Sequence, residues 1–198
     1  MENLDNLNKQ LESFFDSKAE SFNSRFLDRE NTAKKMFDNG IIKVGDKVLD
    51  IACGTGVLDR LLIQNGAKQV VALDISQKMI DFAKANNSNN NVTFLHSDIY
   101  KYNGSDFDLA IIYSAYPHLL NKVALVDKLA MVLKEGGRFI VLHNSGYKKL
   151  NKMHSTLDEG IYVPLKKATE ECKIFKNKFT IDLIVDKEDE YIFSGIKK

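Results

Sequence analysis

Residues Lys47–Leu58 read KVLDIACGTGVL. Lys47–Ala52 is a short apolar run that ends in small residues, the pattern of a strand buried on both faces. Cys53-Gly54-Thr55-Gly56 predicts a tight turn, and Val57–Asn65, stopped by Gly66, predicts a helix. Downstream the same unit repeats. Gln69–Leu73 (QVVAL) is a second buried strand with Asp74 at its end, and Ser76 is a suitable N-cap for a helix over Gln77–Ala85. After the polar loop NNSNNN at 86–91, Val92–Leu95 and Phe107–Tyr113 predict a third and a fourth strand. A helix over Asn121–Leu133, a turn at Lys134–Gly137 and a fifth strand at Arg138–His143 follow. Tyr147–Asp158 and Leu165–Cys172 read as helical, and Phe179–Val185 and Glu190–Ile196 as a closing antiparallel pair.

Strands alternating with helices imply parallel pairing with right-handed crossovers. The expected architecture is therefore α/β: a doubly wound, seven-stranded, mostly parallel sheet whose last strand is antiparallel. Upstream, Leu4, Leu7, Leu11, Phe14 and Phe15 recur at helical spacing, and Phe22, Phe26, Met36 and Phe37 extend the helical region to about Asn39, with Gly40 as its terminator. We expect one domain over 1–198: a helical cap or lid over 1–40 and a core over 41–198.

In such a sheet, ligands bind beyond the carboxyl ends of the strands. Gly54 and Gly56 let the backbone turn sharply and approach a ligand closely. Asp50 is placed to hold a cationic ammonium group, or else to brace the loop through backbone N–H groups. Asp74 suits two ribose hydroxyls, because an ionised carboxylate only accepts. Asp98 suits an adenine amino group, with Ile75 and Ile99 against the ring. A dinucleotide fingerprint is disfavoured: its third glycine would fall on Asp59, whose carboxylate would crowd a pyrophosphate electrostatically.

This set resembles the class I, Rossmann-like S-adenosylmethionine-dependent methyltransferase family over roughly Val48–Val141. DIACGTG is similar to that family's glycine-rich first motif, ALDIS to the second, HSDIY to the third, FDLAIIYSAYPHL to the fourth and LKEGGRFIVLHN to the fifth. One departure is Ala52, where the family often has glycine. The resemblance implies S-adenosyl-L-methionine as cofactor and S-adenosyl-L-homocysteine as product. The implied cofactor residues are Asp50, Ala52, Gly54, Gly56, Asp74, Ile75, Met79, Asp98, Ile99 and Tyr113. SAYPHLL followed by HNSGYKKLNKMH is similar to a small, uncharacterised bacterial subgroup of the family.

All four histidines, His96, His118, His143 and His154, fall at or beyond predicted strand ends, where an acceptor would meet the sulfonium. A base matters only when the acceptor must lose a proton, and His118 or His143 suits that role. The alternatives are a helix-start residue or a contact to the cofactor for His118, and a satisfied strand-end ring for His143. His118, His143 and His154 together would form a polar clamp on the acceptor, or a metal site; spacing alone does not support the metal, and none is expected. Tyr113 and Tyr116 suit stacking or ordinary packing, and Cys53 suits apolar packing.

With 28 basic against 27 acidic side chains the net charge is +1, which gives no electrostatic reason to expect nucleic acid. No run approaches the roughly 18–20 apolar residues that span a bilayer. Two cysteines without CxxC spacing suggest neither a zinc ribbon nor a disulfide framework, so a reducing, cytoplasmic setting is expected. The expected acceptor is a small molecule. Rival readings are an RNA or protein methyltransferase, which YSAYPH in place of an NPPY-type tetrapeptide disfavours, and a non-catalytic protein that only binds the cofactor.

Overall fold

The computed structural model describes residues 2–37, 41–158 and 160–198, so the expected terminator Gly40 lies outside the described residues. The chain divides into two compact units, Met1–Tyr102 and Asn103–Lys198.

The first unit begins with two helices, α1 (Glu2–Asn23) and α2 (Phe26–Phe37). Strand β1 (Lys47–Ile51), helix α3 (Asp59–Gln64), β2 (Gln69–Asp74), α4 (Gln77–Asn86) and β3 (Val92–His96) follow. β1 pairs parallel with β2, and β2 with β3, in a register that sets Asp50 opposite Ala72 and Asp74 opposite His96. Val48, Leu49, Ile51 and Val70–Leu73 are buried, as expected of strands covered on both faces. Ser76 caps α4 as predicted, its side chain accepting from the Met79 N–H at 3.1 Å.

α3 starts at Asp59 rather than Val57, because residues 54–58 are taken up by turns. α1 packs on α4 and adds a line of polar contacts. Asn8 donates to Asp98 (2.8 Å), Glu12 meets His96 (3.3 Å), and Asp16 accepts from the Ser76 hydroxyl (2.5 Å). Asn23 accepts from Asn86 (2.9 Å). Positions 8, 12 and 16 share one helix face by their spacing of four.

The second unit holds β4 (Phe107–Tyr113), α5 (Lys122–Val132), β5 (Leu133–His143), α6 (Tyr147–His154), α7 (Ala168–Glu171), β6 (Phe179–Asp186) and β7 (Tyr191–Lys197). β4 and β5 are parallel, while β7 runs antiparallel to both β5 and β6. Phe139, Phe175, Phe179 and Phe193 form an aromatic core, with Phe139 stacked on Phe175 at 4.5 Å.

The turn expected at 134–137 lies inside β5 as an irregularity: Phe107 pairs with Leu133, but Leu109 pairs with Arg138. Gly137 fits there because a Cβ would meet the carbonyls of Lys134 (2.9 Å) and Phe107 (3.0 Å). α6 ends at His154, four residues early, where the Ser155 hydroxyl turns back onto the Lys152 carbonyl. The helix expected over 165–172 begins only at Ala168, because Asn151 ties down both the N–H and the carbonyl of Leu165.

The seven strands form one sheet in the order β3-β2-β1-β4-β5-β7-β6, the doubly wound and mostly parallel arrangement expected.

Candidate active site

β1 ends in a turn with an alternating backbone. Ala52, Gly54 and Gly56 all adopt positive φ, at 59°, 58° and 80°. The glycine that the family often carries at 52 would suit this conformation, and Ala52 adopts it with some strain. The two glycines have different reasons to be glycine. A Cβ on Gly54 would meet nothing within 4 Å, whereas one on Gly56 would strike Asn87 at 2.6 Å and Ala83 at 3.1 Å. Gly54 borders open space; Gly56 lets the turn pack onto α4.

Around this turn sit three buried polar side chains with no hydrogen-bond partner among the described residues: Asp50, Thr55 and Asp59. Burial, and then the neighbouring charges of Asp59 and Asp74, push the Asp50 carboxyl well above its ordinary range. Burial also pushes Asp59 up. Two unpartnered carboxyls in one buried pocket of polar groups are costly for a fold and fit a cationic ligand group. Asp50 therefore does not brace the loop, since neither of its oxygens accepts from the backbone.

Asp74 takes that bracing role: one oxygen accepts from the Gly54 N–H and the other from the Ser76 N–H, both at 2.8 Å. Each oxygen keeps a second lone pair for a hydroxyl. Burial raises Asp74 to about 6 against the pull of those two hydrogen bonds. Asp98 accepts from the Tyr100 N–H at 2.9 Å through one oxygen and from Asn8 through the other. Ile75 is half-buried, while Ile99 and Met79 are buried. Cys53 is buried and its thiol is pushed up by burial and by Asp59, Asp74 and Asp50, so it is no nucleophile at neutral pH.

In the second unit, Tyr113 closes β4 and His143 closes β5. His143 is 1% exposed, and its Nε2 has no hydrogen-bond partner among the described residues. His118 sits in the short helical turn Tyr116–His118, and its Nδ1 donates to the Ile161 carbonyl at 2.8 Å. His154, at the end of α6, likewise donates from Nδ1 to the Leu150 carbonyl at 2.7 Å. A carbonyl only accepts, so each ring, in its neutral form, carries its lone pair on Nε2.

The His118 and His154 rings lie 4.9 Å apart, and Tyr162 stacks on His154 at 5.4 Å. His118 and His154 thus adjoin, and both lie close enough to His143 to act on it electrostatically. Burial lowers His143 to about 3, with further lowering by Lys122, His118 and His154. Burial lowers His118 to about 4. Among the described residues no group of three or more His, Cys, Asp or Glu is placed to hold a metal ion. His96 stands apart in the first unit, donating to the Ile75 carbonyl at 2.9 Å.

Three participants escape a reading of the sequence. Thr55 and Asp59 belong to the cradle, and Lys122 to the histidine cluster, where its ammonium lies 3.4 Å from the Tyr116 ring centroid and donates to the Tyr116 carbonyl. Burial lowers Lys122 to about 7. Asp59 had a signal, a lone acid inside the apolar run VLDRLL; Lys122 had none.

The glycine turn, the acid closing β2 and the sheet order place the chain in a known class. Its fold is that of the class I S-adenosylmethionine-dependent methyltransferases, and residues 48–137 match the family described as a methyltransferase domain. An uncharacterised Methanocaldococcus jannaschii protein is 30% identical over 90% of this chain and 66% of its own length. An uncharacterised Schizosaccharomyces pombe methyltransferase is 33% identical over 50% of this chain and 39% of its own. The chain thus spans less than two thirds of either relative. Among solved structures, the Synechocystis magnesium protoporphyrin IX methyltransferase with bound S-adenosyl-L-homocysteine shares the fold. Its TM-score is 0.70 at 21% identity, covering 97% of this chain and 100% of that one.

Proposed function

We propose that this chain transfers a methyl group from S-adenosyl-L-methionine to a small-molecule acceptor, working as one domain with residues 1–40 as its cap and 41–198 as its Rossmann-like core. The observation that carries the reading is the buried, unpartnered Asp50 carboxyl beside a glycine turn that opens onto free space. The cofactor, when bound, supplies a methyl carbon activated by positive sulfur.

Asp50, supported by Asp59, holds the ammonium of its amino-acid end. Ala52, Gly54 and Gly56 shape the turn that this end follows. Asp74 accepts the ribose hydroxyls on its remaining lone pairs, and Asp98 accepts the adenine amino group. Ile75, Ile99 and Met79 give the ring its apolar surroundings, and Tyr113 lines the cofactor from β4.

His118, His143 and His154 orient the acceptor. His118 and His143 are neutral at pH 7, the state in which an imidazole takes a proton from an acceptor hydroxyl or amine. Orientation supplies most of the acceleration in an in-line displacement. The near-zero net charge favours a small acceptor over nucleic acid. No helix among the described residues is long and apolar enough to cross a membrane, and the two cysteines are free and buried, which supports a cytoplasmic setting.

Calorimetry with S-adenosyl-L-homocysteine tests binding, and release of that product from S-adenosyl-L-methionine plus a metabolite extract tests turnover. Saturable binding with product release is expected. Folded protein with no affinity for either cofactor form would overturn the reading.

A further inference from the structure

The seven-stranded sheet ends on β6, FTIDLIVD, which pairs with β7 and, among the described residues, with no strand on its other side. Such an edge is a row of backbone donors and acceptors ready to pair with another chain, and folds commonly blunt it with lysine, proline or a short strand. β6 is eight residues long and holds no lysine, arginine or proline. Its central charge is already answered: Asp182 is ion-paired with Arg138 at 3.1 Å and accepts from the Ser194 hydroxyl at 2.5 Å. Large apolar side chains stay in solvent around it. Ile184 of β6 is 40% exposed, Ile196 of β7 39%, and Ile174, just before β6, 40%.

A bulge at Asp182 sets the faces of the strand. Ile181 lies opposite Gly195 and Ile184 opposite Phe193, so both isoleucines stand on one face of the sheet. Thr180 and Val185, opposite Ile196 and Ile192, share the other face. An antiparallel copy of β6 that sets Ile181 against Ile184 also sets Thr180 against Val185, with each pair on matching faces. Charge follows the same reversal. Lys173, Lys176 and Lys178 precede the strand, and Asp186, Glu188, Asp189 and Glu190 follow it. The basic start of one copy then lies along the acidic end of the other, with Lys176 facing Asp189. Lys178 faces Lys187 in this register, but both are already ion-paired, with Asp127 at 3.5 Å and with Glu190 at 3.0 Å.

We propose that β6 is the interface of a two-fold symmetric dimer of this chain, in which two β6 strands pair antiparallel about the midpoint between Asp182 and Leu183. The inference stands apart from the methyl-transfer reading, since it uses no residue of the proposed cofactor or acceptor sites. Backbone hydrogen bonds satisfy the open edge, and Ile184 of each copy gains Ile181 of the other as apolar cover. The two-fold axis makes every one of these contacts twice. The register is selective, because a slip of one residue sets each isoleucine against a side chain of the opposite face.

The experiment measures the mass of the full chain by sedimentation equilibrium over a range of concentrations and follows backbone hydrogen exchange on the same samples. A reversible monomer–dimer equilibrium is expected, with exchange over Thr180–Val185 slowing as concentration rises. Ile184→Lys puts two charges into the apolar contact and should weaken the dimer about tenfold or more. Lys176→Glu and Asp189→Lys should each weaken it about threefold or more, and the two changes together should restore it. Lys149→Glu, on the exposed face of α6, is the charge control and should leave the dimer unchanged. All four positions are exposed, and a cooperative thermal transition checks that each variant folds.

A wild-type chain that stays monomeric at every concentration overturns the proposal. A dimer unaffected by Ile184→Lys and by both charge reversals overturns it too, as does one whose slowed amides lie outside β6. Dimer loss in both single charge variants without recovery in the double variant overturns the antiparallel register.

Discussion

The two units gather opposite kinds of titratable group. The first buries three carboxyls around a glycine turn, two of them without partners; the second buries or half-buries three imidazoles and an amine. Each arrangement is costly for its own fold, since groups of one sign gathered in a dry place raise or lower one another's pKa and favour the neutral form. Stability alone would replace them with apolar residues. In the first unit the two unpartnered carboxyls suit a cationic ligand group; in the second, burial holds His118 and His143 neutral at pH 7.

Removing Asp50 breaks the comparison most directly. Asp50→Asn keeps the shape and deletes the charge. Affinity for S-adenosyl-L-homocysteine should fall about a hundredfold, the size of a buried charge-assisted contact. The variant should gain about 1–2 kcal/mol of stability at pH 8, where the unfolded chain ionises Asp50 and burial in the fold opposes that ionisation. Calorimetry and urea unfolding on one preparation read both. A variant that lost affinity and stability together would mean that Asp50 is bonded within the fold.

The next largest effect is on pH dependence, and its sign differs between the units. Asp74 titrates near 6 in the fold against an ordinary 3.8, so the folded state binds the extra proton between those values. Its contribution is full below pH 3.8 and is lost as pH rises through 6; the shift corresponds to about 3 kcal/mol as an upper bound. His118 titrates near 4 against 6.5, so its contribution is full above pH 6.5 and is lost as pH falls through 4. Between pH 4 and 6 the two slopes oppose. Asp74→Asn should steepen the rise of stability with pH in that window, and His118→Gln should flatten or reverse it. Denaturant unfolding at several pH values reads the slopes; identical slopes in both variants would refute the assignment.

The sheet was legible in the sequence because buried parallel strands are continuous apolar runs, and Gln69–Leu73 and Phe107–Tyr113 admit little else. The cradle acids Asp50, Asp74 and Asp98 were legible because each lies at or just beyond the end of a strand. Helix ends were not: Ser155 and Asn151 end or delay helices through local side-chain bonds that periodicity does not encode. Lys122 was illegible for a different reason, since a lysine opening an amphipathic helix looks solvated until the chain folds it against Tyr116.

The α1 contacts refine the comparison, because they give the first unit polar partners from outside its strands. Asn8 occupies one oxygen of Asp98, and Asp16 occupies the Ser76 hydroxyl. Asn8→Ala should cost about 1 kcal/mol of stability, a single hydrogen bond to a charged group that is partly exposed to water. If Asp98 also takes the adenine amino group, its freed oxygen makes the affinity for S-adenosyl-L-homocysteine rise slightly or stay level. A large loss of affinity would instead mean that α1 holds Asp98 in its binding position.

The smallest effect tests the turn that separates the two acids of the cradle. Ala52 sits at φ 59°, where a Cβ crowds the following carbonyl, at a cost of roughly 1–2 kcal/mol. Glycine relieves that strain but loses more chain entropy on folding, by roughly 0.5–1 kcal/mol. Ala52→Gly should therefore stabilise the fold by about 0.5 kcal/mol and leave cofactor affinity within twofold, as read by thermal unfolding and calorimetry. A destabilised variant would show that the alanine methyl packs productively, and the cradle would then owe part of its rigidity to the one position where this chain departs from the glycine its family often carries.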